Sequence, residues 1–240
     1  MQILLVSDLH YRLRQFDWVY DVAPEYDVVI IAGDLLSLRS PVPVAAQAVA
    51  VSALIGRIAG RGRLLVASGN HDLDGRDASG EKSALWLSGT RADGLHVDGD
   101  SPLVDTTLFT VCPWWDGEQG RLALEARLEV DAGREKERWV WDYHAPPSGS
   151  PLAWDGRKEY GDDVLAAWIR RFRPDLVVTG HIHQAPFADG GGWADRVDGT
   201  WVLNPGHEPA HVPSHIVIDL AAETASWFAS TERETVALTR

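Results

Sequence analysis

The residues able to do chemistry fall into five short clusters. In chain order they are Asp8-Leu9-His10, Gly33-Asp34, Gly69-Asn70-His71-Asp72, His144 and Gly180-His181-Ile182-His183. Carboxylate and amide oxygens are mixed with imidazole nitrogens, a donor set that suits divalent transition metals. One carboxylate can bridge two ions about 3.5–4 Å apart, the geometry used to hydrolyse phosphate esters. Each cluster alone has a plainer reading. Asp-x-His and Gly-Asp are common turn material, and Gly and Asn both tolerate positive φ. Gly-His-x-His is more specific, because residues i and i+2 of an extended segment share a side. The joint occurrence decides, since each cluster directly follows a strand-like run.

Those runs are Ile3-Leu4-Leu5-Val6, Val28-Val29-Ile30-Ile31, Leu64-Leu65-Val66 and Leu176-Val177-Val178. They are continuously apolar, as in strands covered on both faces. Val51, Leu54, Ile55 and Ile58 fall at i, i+3, i+4 and i+7, one helix face. A second helical stripe runs from Val164 to Phe172, with Asp162 or Asp163 as its cap and Pro174 as its stop. Further strands are predicted at 106–111, 138–143, 200–203, 215–220 and 226–229. Val97-Asp98-Gly99-Asp100 reads as a hairpin turn, and 119–137 as a helix or a partly mobile charged loop. The fold class is therefore α/β (α+β): two packed mixed β-sheets flanked by helices. No linker or repeat divides the chain, so residues 1–240 are expected to form one domain. Ligands of open α/β sheets bind at the carboxyl ends of the strands, so the clusters should meet on one rim.

Composition narrows the partners. The net charge is −13 over 240 residues, with 45% hydrophobic and 24% charged residues. Such a chain repels long nucleic acids and anionic membranes. No apolar run approaches the roughly 20 residues that cross a bilayer. The lone Cys112 excludes a disulfide or a cysteine-cluster zinc site. With no basic leader at Met1, a cytoplasmic protein is expected.

The ordered clusters resemble the calcineurin-like metallophosphoesterases, whose pattern is Asp-x-His, Gly-Asp, Gly-Asn-His-Asp/Glu, His and Gly-His-x-His. Asn204-Pro205-Gly206 is similar to the family's late turn. The resemblance implies a four-layer αββα sandwich and a cofactor of two transition-metal ions. It implies that Asp8, His10, Asp34 and His183 hold one ion, and that Asp34, Asn70, His144 and His181 hold the other. Manganese or iron suits the set best, and zinc also fits. It further implies that His71 is catalytic and, with Asn70, faces the scissile phosphate. The reaction implied is in-line attack of a metal-bound hydroxide, since a metal lowers the pKa of water from 15.7 to about 7.

Ser37 stands where many members carry an Asp that orients the catalytic histidine. Asp72 and Asp74 are the nearby substitutes. The second block also lacks the protein Ser/Thr phosphatase extension and the iron-binding Tyr of purple acid phosphatases. Two residues are candidates for substrate contact. Trp115 either stacks on a nucleotide base or packs beneath its loop. Arg196 either clamps a phosphate or is a solvated loop residue. His96, His207, His211 and His215 match no motif, although His207 and His211 lie near the late turn. The function expected is a phosphoesterase acting on a small phosphodiester or nucleotide. The alternatives are a phosphomonoesterase on a small metabolite and a non-catalytic protein-binding scaffold of the same fold. The oligomeric state is left open by the sequence.

Overall fold

Alternate residues of the central strands face different layers, which explains their unbroken apolar runs. Ile3, Leu5, Val28, Ile30, Leu65 and Ala67 share one core with Phe109, Val140, Val178 and Trp227. Leu4, Val6, Val29, Ile31 and Val66 turn the other way, onto Phe16, Val19, Val51, Ile55 and Ile58. On the far side Leu108, Trp139, Trp141, Val177 and Val202 pack on Leu124, Leu128, Leu165, Trp168 and Ile169.

The computed structural model describes residues 1–239. Its first part comprises β1 (Gln2–Val6), α1 (Leu13–Val22), β2 (Val28–Ala32), α2 (Val44–Ala59) and β3 (Leu64–Ala67). A small ribbon of β4 (Gly75–Arg76) and β5 (Lys82–Ser83) follows, then α3 (Leu85–Gly89) and β6 (Leu95–Val97). Next come β7 (Leu103–Val104), β8 (Thr107–Val111), α4 (Glu118–Ala132), β9 (Arg138–Asp142), α5 (Asp163–Phe172) and β10 (Leu176–Val178). The chain ends with β11 (Ala194–Val197), β12 (Thr200–Leu203), β13 (His215–Asp219), β14 (Thr224–Phe228) and β15 (Arg233–Ala237). A seven-stranded sheet has the order β15-β14-β13-β1-β2-β3-β6, and a six-stranded sheet the order β11-β12-β10-β9-β8-β7. Helices α1 and α2 cover the first, α4 and α5 the second. The packed mixed sheets between helices are the expected architecture.

Within each sheet the central strands are parallel: β1, β2, β3 and β6 in one, β8, β9, β10 and β12 in the other. Their carboxyl ends therefore emerge together. Asp162 caps α5, accepting from the N–H groups of Val164 at 2.7 Å and Leu165 at 3.1 Å. Arg173, in the left-handed region at φ 52°, ends that helix ahead of Pro174.

The 97–100 segment is a turn but not a hairpin. β6 belongs to the seven-stranded sheet and β7 to the six-stranded one, so this turn carries the chain across the core. The Asp98 carboxylate is drawn inward, accepting from the Ser68 N–H at 2.8 Å, which a solvent-facing hairpin turn would not require. The 119–137 segment is helical through Ala132.

Phe109 is fully buried in the inter-sheet core. Phe109→Ala should destabilise the fold by about 3–5 kcal/mol. Urea unfolding checks this, with a lowered midpoint at an unchanged slope.

Candidate metal centre

The segments after β1 and β2 are held together by backbone. The N–H groups of Asp8, His10 and Tyr11 donate to the carbonyls of Gly33, Asp34 and Leu35 at 3.0, 2.9 and 2.7 Å. This pairing is made in unusual conformations. Asp8, His10, Asp34 and His181 all have positive φ, at 55°, 44°, 54° and 68°. An L-residue there costs roughly 1–2 kcal/mol, and such strain gathers at functional sites. It aims four donor side chains inward.

The loop after β3 is held by carboxylates on three successive amides. Asp142 accepts from Ala67 N–H at 3.1 Å, Asp98 from Ser68 at 2.8 Å and Asp72 from Gly69 at 2.8 Å. Desolvation pushes the Asp142 carboxyl well up and that of Asp98 to about 6. Burial, with the negative Asp34 nearby, pushes Asp72 to about 8. Two glycines permit close approach. A Cβ on Gly69 would collide with Asp34 Oδ1 and His144 Nε2, and one on Gly180 with Asp8 Oδ2. Asn204 fixes the last loop by donating from Nδ2 to the carbonyls of Gly180 and Ile182, both at 3.1 Å.

The side chains then converge. Asp8, His10, Asp34 and His183 form one group whose donor atoms all lie within 4.8 Å of one another; Asp34, His144 and His181 form a second. Asp34 belongs to both. His10 Nε2 and His183 Nε2 are 2.9 Å apart, and His183 Nε2 is 3.1 Å from Asp8 Oδ1. His144 Nε2 is 3.4 Å from Asp34 Oδ1. The next residue after Asn70, His71, donates its N–H to Asp34 Oδ1 at 2.8 Å; Asn70 Oδ1 is buried without a hydrogen-bond partner, as is His144 Nε2.

These features fit metal ions. Nδ1 of His144 faces the Ala32 carbonyl at 2.6 Å, and Nδ1 of His10 faces that of Leu36 at 3.2 Å. A carbonyl accepts only from N–H, so both rings carry a proton at Nδ1 and turn Nε2 to the centre. That is the usual outer arrangement of a metal-binding histidine. Burial, which strips solvation, lowers the pKa of His10 and brings that of His181 to about 4, keeping both rings neutral. At His144 burial acts in the same sense, but the Asp34 carboxylate overrides it and raises the pKa to about 10. Burial alone would raise Asp8 and Asp34, yet contact with His183 and His144 respectively holds both low. The centre is a buried anionic pair that demands positive charge.

His71 sits at the edge of this centre, its Nε2 3.9 Å from Asp34 Oδ2. Neither Ser37, Asp72 nor Asp74 orients it. Asp72 instead accepts from the amides of Leu35, Leu36 and Gly69, and Asp74 accepts from that of Trp86. The Leu38 N–H donates to His71 Nδ1 at 3.3 Å. Gln47, buried on α2, holds that segment. Its Oε1 accepts from Ser37 N–H at 2.8 Å, and its Nε2 donates to the carbonyls of Ser37 at 2.9 Å and Val42 at 2.7 Å. No residue-type motif reveals a backbone donor.

Trp115 lines a cavity beside His144 and His181, and its Nε1 donates to Tyr143 Oη at 2.9 Å. Arg196 does not join the centre. It lies on β11 opposite Trp201, level with the amino end of β10 and away from the rim. Its Nε donates to the Gly199 carbonyl at 3.4 Å. His207 does reach the site, with its ring 4.9 Å from that of His183 and 5.5 Å from that of His10. Only its place after the late turn hinted at this. His215 instead packs on Trp18 and Phe228.

Residues 1–185 match the calcineurin-like phosphoesterase family. The chain belongs to that family. Solved structures with a similar fold include TT1561 of Thermus thermophilus, at 17% identity and TM-score 0.58, with 99% of each chain covered. A purple acid phosphatase from yellow lupin (Lupinus luteus) seeds is similar at 14% identity and TM-score 0.60, covering 99% of this chain and 53% of that one. No curated protein sequence matches the chain significantly. Among the described residues no helix is long and apolar enough to cross a membrane.

Gln47→Ala removes three hydrogen bonds from the segment that carries Leu38. The fold should lose about 2–3 kcal/mol. Native-state hydrogen exchange should show faster exchange at the Ser37 and Leu38 amides than at those of the central strands.

Proposed function

We propose that this chain is a dinuclear metal-dependent hydrolase of phosphate esters, acting on a small phosphodiester or nucleotide. The supporting observation is the pair of donor groups that share Asp34, with His144 Nε2 and Asn70 Oδ1 buried and unpaired. In this reading Asp8, His10, Asp34 and His183 hold one ion, and Asp34, Asn70, His144 and His181 the other. Manganese or iron matches the mixed donors best, with zinc also accommodated. When bound, the ions supply Lewis acidity, which offsets phosphoryl charge and makes hydroxide available near neutral pH.

The chain's own residues set the geometry. The Ala32 and Leu36 carbonyls keep two imidazoles aimed at the centre. The Leu38 N–H occupies Nδ1 of His71, so the neutral ring carries its proton at Nε2. From there His71 donates to the leaving oxygen, and Asn70 helps to position the phosphoryl group. Residues 1–240 act as one domain in this reading, because strands beyond the matched residues complete both sheets. The buried, unpaired Cys112 fits a reducing cytoplasm.

Elemental analysis of the purified protein should find about two transition-metal ions per chain. Asp34→Asn should lower metal content and activity together. His71→Ala should retain the metals and reduce kcat about 10²–10⁴-fold. A metal-free protein that stays inert with added manganese overturns this reading. Loss of metal in His71→Ala overturns the role given to that residue.

A further inference from the structure

Two cavities of opposite character flank the candidate centre and share His181. The larger, of about 620 Å³, opens over His10, His71 and His183 and is rimmed by Arg12, Arg39 and His207. Among the described residues no carboxylate lines it. Arg12 and Arg39 are exposed, and neither forms an ion pair among the described residues. In a chain of net charge −13, two unpaired guanidiniums on one mouth suit an anion, which each can grip bidentately.

The smaller cavity, of about 340 Å³, is walled by Trp114, Trp115, Tyr143, Ala145 and Tyr160. Its shape is fixed before any ligand arrives. Trp115 Nε1 donates to Tyr143 Oη at 2.9 Å, and Tyr143 Oη donates to Asp162 Oδ2 at 2.5 Å. The other Asp162 oxygen caps α5. Trp114 is held by its N–H on Ser68 Oγ at 2.9 Å, and its ring lies 5.4 Å from that of His181. The charged side chains lining this cavity, apart from its two imidazoles, are Asp162 and Asp163, so it repels an anion. Aromatic walls of this kind favour a flat ring.

We infer that the substrate is a nucleotide whose scissile phosphorus lies between two unlike ends: a base in the Trp114–Tyr160 cavity and a second phosphate at Arg12 and Arg39. This rests on the phosphoesterase reading above and adds the substrate class. The bond cleaved is a phosphoanhydride. Water oxygen bonds to the phosphorus nearer the nucleoside, and the bridging oxygen departs with the distal phosphorus. One hydrogen of the water ends on each product phosphate, giving a nucleoside monophosphate and a second phosphate species. The charge pattern fixes the direction, since the cavity lined by Asp162 and Asp163 rejects the distal phosphate and the mouth carrying Arg12 and Arg39 attracts it.

Isothermal titration of the manganese-loaded protein with AMP, inorganic diphosphate and ADP, the last as its α,β-methylene analogue whose bridge is not cleaved, reads each end separately. ADP should bind about ten-fold tighter than either AMP or diphosphate. Trp114→Ala and, independently, Tyr160→Ala should weaken ADP and AMP about ten-fold and leave diphosphate unchanged. Tyr160 contacts none of the proposed metal ligands in ring or hydrogen bond, so it serves where Trp114→Ala disturbs the centre. Replacing Arg12 and Arg39 together by Ala should weaken ADP about ten-fold and leave AMP unchanged. Equal losses for ADP and diphosphate in Tyr160→Ala, or for ADP and AMP in the double arginine variant, would refute the assignment. Turnover of bis(p-nitrophenyl) phosphate separates the two levels. If the wild type turns it over while ADP binds no tighter than diphosphate, this inference falls and the hydrolase reading stands. If neither it nor any nucleotide ester is turned over with manganese, the hydrolase reading itself fails.

Discussion

Two buried carboxylates, Asp8 and Asp34, are the constraint around which the rest of the structure is arranged. Both are almost wholly removed from solvent, and a buried carboxylate without compensation is costly. Four imidazoles, His10, His144, His181 and His183, surround them. The protein brings these groups together by placing strained residues at the strand ends, with positive φ at Asp8, His10, Asp34 and His181. Strain of this kind persists only where surrounding structure over-determines it. The backbone bonds from Asp8, His10 and Tyr11 to the loop after β2 provide that restraint.

The two-sheet architecture supplies what one sheet could not. Asp8, Asp34 and Asn70 follow strands of the seven-stranded sheet, whereas His144, His181 and His183 follow strands of the six-stranded one. The centre therefore straddles the seam, and contacts across it set the distances. His144 Nδ1 on the Ala32 carbonyl, the His181 N–H on Asp8 and the Ala67 N–H on Asp142 all cross between sheets. Packing of the inter-sheet core is thus coupled to the site. A shift of one sheet on the other would separate ligands by the same amount.

The donor clusters and the strands that present them were legible because each has a local signature: an apolar run, then a polar cluster. The side chains of Asp8, His10, Asp34, His144, His181 and His183 come together from separate places in the sequence. What stayed hidden was non-local. The turn at 97–100 has hairpin chemistry, but its strands join different sheets, a choice made by the core and by Asp98 reaching Ser68. The supports of the Asn70 loop come from Asp72, Asp98 and Asp142, whose positions in sequence say nothing of a shared task. The orientation of His71 relies on a main-chain N–H, which every residue but proline carries, so no side-chain pattern could mark it. His207 enters through the turn that Asn204 ties to the Gly180 loop.

The acidity of the chain takes on a different meaning once these placements are known. Asp8, Asp34, Asp72 and Asp142 contribute to the formal charge of −13, yet all four are buried within or just behind the centre. Part of that negative charge therefore faces inward, where it creates the demand for cations. Desolvation and Asp34 push the Asp72 carboxyl up to about 8, and desolvation pushes that of Asp142 well up, so both resist ionisation more than a surface carboxyl does. The exposed guanidiniums of Arg12 and Arg39 stand directly above this region. A polyanion would meet the acidic outer surface over most of its length, where repulsion extends about a Debye length, roughly 8 Å at physiological salt. A small anion can lie wholly within the mouth, near the arginines and clear of most of that repulsion. The charge distribution thus selects for ligand size as well as for ligand sign.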